Sequence, residues 1–119
     1  MEQASNANLN VIFSGDMNIR DYEIGELGGL PSGIFDAWEV CGCDEHTEHT
    51  WDMKVNDNLN FVEDGRELPR NRYDRMYYTT TTSNGISCAS FELIGKERIE
   101  GIGLFPSDHW GLLATFSLA

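Results

Sequence analysis

Apolar runs and alternations divide the chain into a handful of short elements. Leu9-Asn10-Val11-Ile12-Phe13 is rich in β-formers and runs into Ser14-Gly15-Asp16, which predicts a buried strand delivering a loop at its C-terminal end. Residues 20–27 carry helix formers. Gly28-Gly29-Leu30-Pro31 follows, a glycine C-cap with a proline behind it, and such a pair stops a helix. Residues 33–40 predict a second short helix that buries Ile34, Phe35, Trp38 and Val40. Residues 41–48 and 56–69 are polar and read as loops, with Thr50-Trp51-Asp52-Met53 as a short extended piece between them. Residues 72–80 alternate and are rich in tyrosine, as a strand would be, and residues 86–93 predict its neighbour. In the last segment Leu112, Ala114, Phe116 and Leu118 alternate with Leu113, Thr115 and Ser117, a period of two with one oily face. Strands with a few short helices make an α/β chain.

Composition narrows the class. The 119 residues allow one domain or part of one, and 40% apolar residues with 11% aromatics suffice for a core, so disorder is not expected. No window approaches the ~20 apolar residues of a membrane span, and no membrane partner is expected. Residues 1–6 have neither a basic nor an apolar stretch, so a secretory signal is not expected either. Three cysteines are an odd count for a disulfide scaffold, which points to a reducing compartment. Twenty acidic against eight basic side chains leave a net charge of −12. Such a surface repels nucleic acid in general, so a nucleic-acid ligand must be held locally, through a few arginines or a metal, or with the aid of sequence outside these residues. Arg66, Arg70, Arg72 and Arg75 fall close together.

Two motifs carry chemistry. In Gly15-Asp16-Met17-Asn18 the strand ends in residues whose alternate side chains share a face, so Asp16, Asn18 and Arg20 are expected to project together. A carboxylate can orient or deprotonate water, an amide can hold a phosphoryl oxygen, and a guanidinium neutralises charge. The plain alternative is an Asx-turn. Near the other end, Phe105-Pro106-Ser107-Asp108-His109-Trp110-Gly111 brings a hydroxyl, a carboxylate and an imidazole together just before the last strand. His109 could stabilise charge on a phosphoryl group or shuttle a proton; alternatively a neighbouring backbone group merely satisfies it. Tyr73-Asp74-Arg75 places a lone acid inside an aromatic strand, where it wants a partner. A couple with His109 is the economical choice, and pairing with Arg72 or Arg75 is the alternative. A rival site is Cys41, Cys43, His46 and His49, whose C-x-C-x2-H-x2-H spacing would make a small zinc-stabilised binding module but fits no standard zinc pattern.

The order of these motifs is distinctive. Gly15-Asp16-Met17-Asn18-Ile19-Arg20-Asp21, Gly28-Gly29-Leu30-Pro31, Thr50-Trp51-Asp52, Tyr73-Asp74-Arg75 and Phe105-Pro106-Ser107-Asp108-His109-Trp110-Gly111-Leu112-Leu113 together resemble the endonuclease/exonuclease/phosphatase superfamily, and in detail its 5′-tyrosyl-DNA phosphodiesterase branch. The resemblance implies an α/β fold, the C-terminal half of a two-sheet αββα sandwich spanning residues 1–119. The N-terminal half, with the glutamate that is the main ligand of Mg2+ (Mn2+ being the alternative ion), would come from sequence outside these residues or from a second chain. It implies a phosphodiesterase that removes tyrosyl adducts, as of a trapped topoisomerase, from DNA 5′ ends in repair, in the nucleus with the cytoplasm as a second location. Asp16 would activate water, Asp74 would orient His109 on the scissile phosphate, and Asp108 would support the metal's water shell. Asn18, Ile19, Arg20 and Ser107 would line the path of the DNA end. Trp51 and Tyr73 would wall it, with Leu59 and Phe61 adding apolar contact. Another phosphodiester or a phosphoinositide remains the alternative substrate. One sheet without its mate would expose an apolar face and leave the chain inactive alone.

Overall fold

The structure, a computed structural model, describes residues 9–60 and 67–118. Three antiparallel sheets carry a few short helices. Strand β1 (Val11–Asp16) leads into α1 (Asp21–Glu26), β2 (Phe35–Asp36), α2 (Ala37–Val40), a 3-10 turn (Glu45–Thr47) and β3 (Trp51–Asp52). Then follow β4 (Arg70–Asn71), β5 (Asp74–Thr79), β6 (Ile86–Ile94) and β7 (Gly111–Leu118). The strand orders are β1-β5-β2, β3-β4 and β6-β7. No helix among the described residues is long and apolar enough to cross a membrane.

Local chemistry explains most of the boundaries. At the start of α1 the Arg20 N–H donates to Glu23 Oε1 at 3.0 Å, and Asp21 and Glu23 put negative charge on the first turn, where the helix dipole favours it. Gly28 and Gly29 take φ of 89° and 87°, and their N–H groups turn back to the carbonyls of Gly25 and Ile24, which ends the helix. Residues 33–40 form less helix than their pattern predicts. Phe35 and Asp36 pair with Tyr78 and Tyr77 of β5, and only then does the Asp36 carboxylate accept the Trp38 N–H at 3.1 Å and cap the single turn of α2. Trp38 is buried as expected, Ile34 is half-buried, and Phe35 and Val40 are exposed.

Two further expectations are corrected. Residues 86–93 do form a strand, but β6 pairs with β7 rather than with β5, whose neighbours are β1 and β2. β1 is a strand but not a buried one: Ile12 and Phe13 are 50% and 51% exposed, at the edge of their sheet. The alternation of β7 is visible, with Leu112, Ala114 and Phe116 half-buried and the residues between them exposed, but Leu118, expected on the same face, is exposed at the strand's end. A small core of Ala37, Tyr78 and Cys88, with Met76, Phe91, Ala114 and Phe116 against it, joins the sheet of β5 to that of β6 and β7.

Among the described residues, the arginines of this group are paired with acids. Arg72 and Arg75 are buried, Arg72 Nη1 standing 2.8 Å from Asp36 Oδ2 and both guanidiniums 2.8 Å from Asp21 Oδ1. Arg72 also lies over the Trp38 ring at 4.5 Å. Arg70 binds Asp52 through two bonds of 2.9 Å, and Arg66 lies outside the described residues. These acids hold the arginines because a buried charge must be paired.

Candidate active site

Antiparallel pairing sets the first two groups. The register of β1 and β5 puts Asp16, at the end of one strand, opposite Asp74, at the start of the other. His109, two residues before β7, completes the group. Its Nδ1 stands 2.6 Å from Asp74 Oδ2, and its Nε2 is 3.9 Å from both Asp16 Oδ2 and Asp108 Oδ2. The partner of the lone acid in the tyrosine-rich strand is therefore the histidine, while Arg72 and Arg75 turn to Asp21 and Asp36. With Nδ1–H donating to Asp74, Nε2 is left to face the two other carboxylates. Asp16 also makes the Asx-turn: its Oδ1 accepts the Asn18 N–H at 2.9 Å, and Asn18 takes φ of 47°, which asparagine tolerates well. Both roles coexist because they use different oxygens.

Buried polar residues hold this geometry from behind. Thr50 is 1% exposed; its hydroxyl accepts the Asp74 N–H at 3.0 Å and its carbonyl accepts the Trp110 N–H at 2.7 Å. One residue thus fixes the acid's strand and the loop of the histidine together. Asn56, equally buried, donates to the Ser107 carbonyl at 2.8 Å. Asn58 donates to the Phe105 carbonyl at 2.7 Å and accepts its N–H at 2.9 Å. Ser107 Oγ in turn accepts the His109 N–H at 3.1 Å. In the sequence Thr50 stands out only as part of the Thr50-Trp51-Asp52 motif and Asn56 and Asn58 only as loop residues, because all three act through the backbone. Their signal was polar side chains of turn-forming type beside Trp51 and within a loop.

Aromatic groups flank the cluster on one side. The Trp51 ring lies 5.6 Å from that of Tyr73 and 6.5 Å from the His109 imidazole, and its Nε1–H donates to Asp108 Oδ2 at 3.2 Å. The exposed Arg20 guanidinium sits 5.7 Å above Tyr73 and 3.5 Å from Glu23. Beyond it opens a polar cavity of about 90 Å³ that includes Arg20, His49, Arg70 and Asn71. Ile19 is half-buried, and its carbonyl accepts from Arg75 at 3.2 Å. Leu59 is exposed on its loop, whereas Phe61 falls outside the described residues.

One group of metal-ligating side chains converges among the described residues. Asp16, Asp74 and His109 each bring a ligand atom within 4.8 Å of the others. Asp74 and His109 are already bonded to each other, which leaves the Asp16 carboxylate, with Asp108 near it, as the oxygen donors suited to a hard divalent cation. The cysteine–histidine motif does not converge and no zinc centre forms there: Cys41 turns inward to Cys88, and His49 lies against Glu48.

No protein-family model matches the chain. Individual proteins do. Rat tyrosyl-DNA phosphodiesterase 2 is 43% identical over 118 residues, 99% of this chain, and the Danio rerio protein of the same name is 40% identical over 108. The chain spans about 30% of the length of the curated relatives it matches. The crystal structure of the D. rerio protein complexed with single-strand DNA product superposes with a TM-score of 0.84 at 36% identity, covering 97% of this chain and 46% of that one. A truncated Caenorhabditis elegans protein of that name gives 0.76, with 97% and 42% covered. In sequence and in backbone alike, the chain is similar to part of tyrosyl-DNA phosphodiesterase 2, and its mixed α/β architecture of antiparallel sheets and short helices matches the endonuclease/exonuclease/phosphatase-type fold of those structures.

Proposed function

We propose that the chain supplies one half of the catalytic site of a Mg2+-dependent phosphodiesterase that removes tyrosyl or peptide adducts from DNA 5′ ends during repair, chiefly in the nucleus. The observation that carries this reading is the meeting of Asp16, Asp74 and His109 beside the Trp51–Tyr73 wall. The match to tyrosyl-DNA phosphodiesterases, one of them crystallised with single-strand DNA product, supplies the substrate class.

Each residue has a task that its place allows. Asp16 takes a proton from the attacking water; its Oδ2 is free of the Asx-turn. His109, oriented by Asp74, offers Nε2–H to a non-bridging oxygen as negative charge grows on the phosphoryl group. Its Nδ1 stays bound to the carboxylate throughout. Asn18 and Ser107 meet phosphate oxygens, and Ile19 and Arg20 line the DNA end. Trp51 and Tyr73 present faces to unstacked bases, with Leu59 and Phe61 as apolar contacts; stacking of this kind is tolerant of a negative protein. A divalent ion, when bound, supplies Lewis-acid stabilisation of the phosphoryl oxygens. Asp16, and Asp108 through water, are the groups of this chain that would face it, since Asp74 is already tied to the imidazole; the principal ligand would be a glutamate from the other half. That half, from the same protein or a second chain, covers the exposed residues Ile12 and Phe13.

The test compares substrates in a complete catalytic domain containing this sequence. A 5′-tyrosyl oligonucleotide should yield free tyrosine and a 5′-phosphate faster than abasic DNA or an inositol phosphate reacts. Preference for either of the latter would replace the substrate while keeping the fold. Full turnover by the 119-residue chain alone would end the half-site reading.

A further inference from the structure

Away from this site, two thiols meet where the sheets join. Cys41 is the C-cap of α2, its N–H bonded to the Ala37 carbonyl, and Cys88 stands on β6 in the core beside Ala37 and Tyr78. Their Sγ atoms are 3.1 Å apart. A covalent sulfur–sulfur bond is about 2.05 Å long, so about 1 Å of closing motion would join them. The fold aims them at each other. Ala89 is an extra residue in the pairing of β6 with β7, a bulge next to Cys88, and bulges re-aim the side chains beside them. The Cys88 N–H is anchored on the Tyr78 hydroxyl at 3.3 Å. Cys41 reaches the Cys88 carbonyl at 3.6 Å as well as its sulfur, and it is only half-buried. Cys43, exposed at φ of 55°, is held outside the pair.

We propose that Cys41 and Cys88 form a thiol-oxidation site that takes a peroxide and closes to an intramolecular disulfide. The partly exposed Cys41 sulfur attacks a peroxide oxygen, becoming a sulfenic acid and releasing one water for hydrogen peroxide. The Cys88 sulfur then displaces the sulfenic oxygen, which leaves as a second water, and the S–S bond forms. Two thiols lose two electrons and two protons, and the peroxide gains both. Cys41 is the more exposed of the two sulfurs, so the peroxide meets it first, and burial, with the neighbouring thiol, pushes the Cys88 thiol up to about 12. The closed loop would contain Thr50, Trp51, Tyr73 and Asp74 and leave Asp16 and His109 outside it. Constraining so long a segment stabilises chiefly by restricting the unfolded chain.

The experiment treats the reduced full chain with hydrogen peroxide, alkylates it under denaturing conditions with N-ethylmaleimide, and maps peptides by mass. The expected result is loss of two hydrogens, one alkylated cysteine (Cys43) in place of three, a linked Cys41–Cys88 peptide, and a higher thermal midpoint that dithiothreitol reverses. Cys43→Ser should leave this unchanged, and Cys41→Ser should abolish it. Three alkylated cysteines after oxidation, a Cys41–Cys43 link, or disulfides only between chains would each overturn the proposal.

Discussion

Two clusters of aspartates lie side by side on this chain, and they are built on opposite terms. Asp21 and Asp36 meet Arg72 and Arg75, two charges against two, with both arginines and Asp36 buried. Asp16, Asp74 and Asp108 surround one histidine, with more negative charge than the chain itself neutralises. The first cluster is closed and holds the sheet to α1 and α2. The second is open and electrically unfinished, as suits a place where a cation and a phosphate are to be bound. Similar residues a few positions apart in sequence thus serve stability in one case and chemistry in the other. Pairing and burial, not residue type, tell them apart.

The contrast breaks most sharply at Asp36. Asp36→Ala should cost roughly 3–5 kcal/mol, because it removes the buried carboxylate of the Arg72 guanidinium, leaving it only the exposed Asp21, and takes away the cap of α2; urea unfolding measures it, and a loss below about 1 kcal/mol would put the two clusters on the same footing. Asp16→Asn should do the reverse, lowering turnover on a 5′-tyrosyl oligonucleotide at least ~10²-fold in a complete domain while the thermal midpoint hardly moves. Thr50→Val sharpens the comparison by loosening the open cluster from behind. Turnover should fall on the order of ten-fold, mostly in kcat, through misplacement of the Asp74–His109 couple. Thr50→Ser should restore it, since the hydroxyl that accepts the Asp74 N–H returns. The smallest effect is electrostatic. Partial burial alone would raise the Asp21 carboxyl, but Arg72, then Arg75, outweighs it and holds the group below the ordinary range. Its contribution is therefore present above the unfolded value of about 3.9 and is lost as pH falls through the lower folded value. At a half-exposed group this amounts to less than about 1 kcal/mol, visible as a shallower acid limb in stability profiles of Asp21→Asn.

The open cluster was more legible in sequence than the framework around it. A lone acid among tyrosines asks for a partner, and the Ser107-Asp108-His109 run offers one, so the Asp74–His109 contact could be named from chemistry alone. The exposure of β1 could not: Ile12 and Phe13 mark an apolar face, and apolar composition alone predicts that such a face is covered. Residues 86–93 were readable as a strand and not as a neighbour of β7, because pairing partners distant in sequence leave no local trace. Residues 33–40 show a related limit. Their apolar spacing suits a helix, yet pairing with β5 claims Phe35 and Asp36 before the helix can begin. The tasks of Thr50, Asn56 and Asn58 were hidden for a third reason, since they act on main-chain groups whose positions exist only after folding.

The register of β1 against β5 has a consequence of its own. Side chains along a strand alternate between faces, so sliding β1 by one residue would place Gly15 opposite Asp74 and send Asp16 to the far side of the sheet. The distance between the two carboxylates is thus inherited from a ladder of main-chain bonds that begins at Val11 and Thr79, five residues away from either acid. Counting errors anywhere along that ladder act as mutations of the site. Deleting one residue between positions 12 and 15 leaves Asp16, Asp74, Asp108 and His109 all in the chain and still removes the arrangement they make.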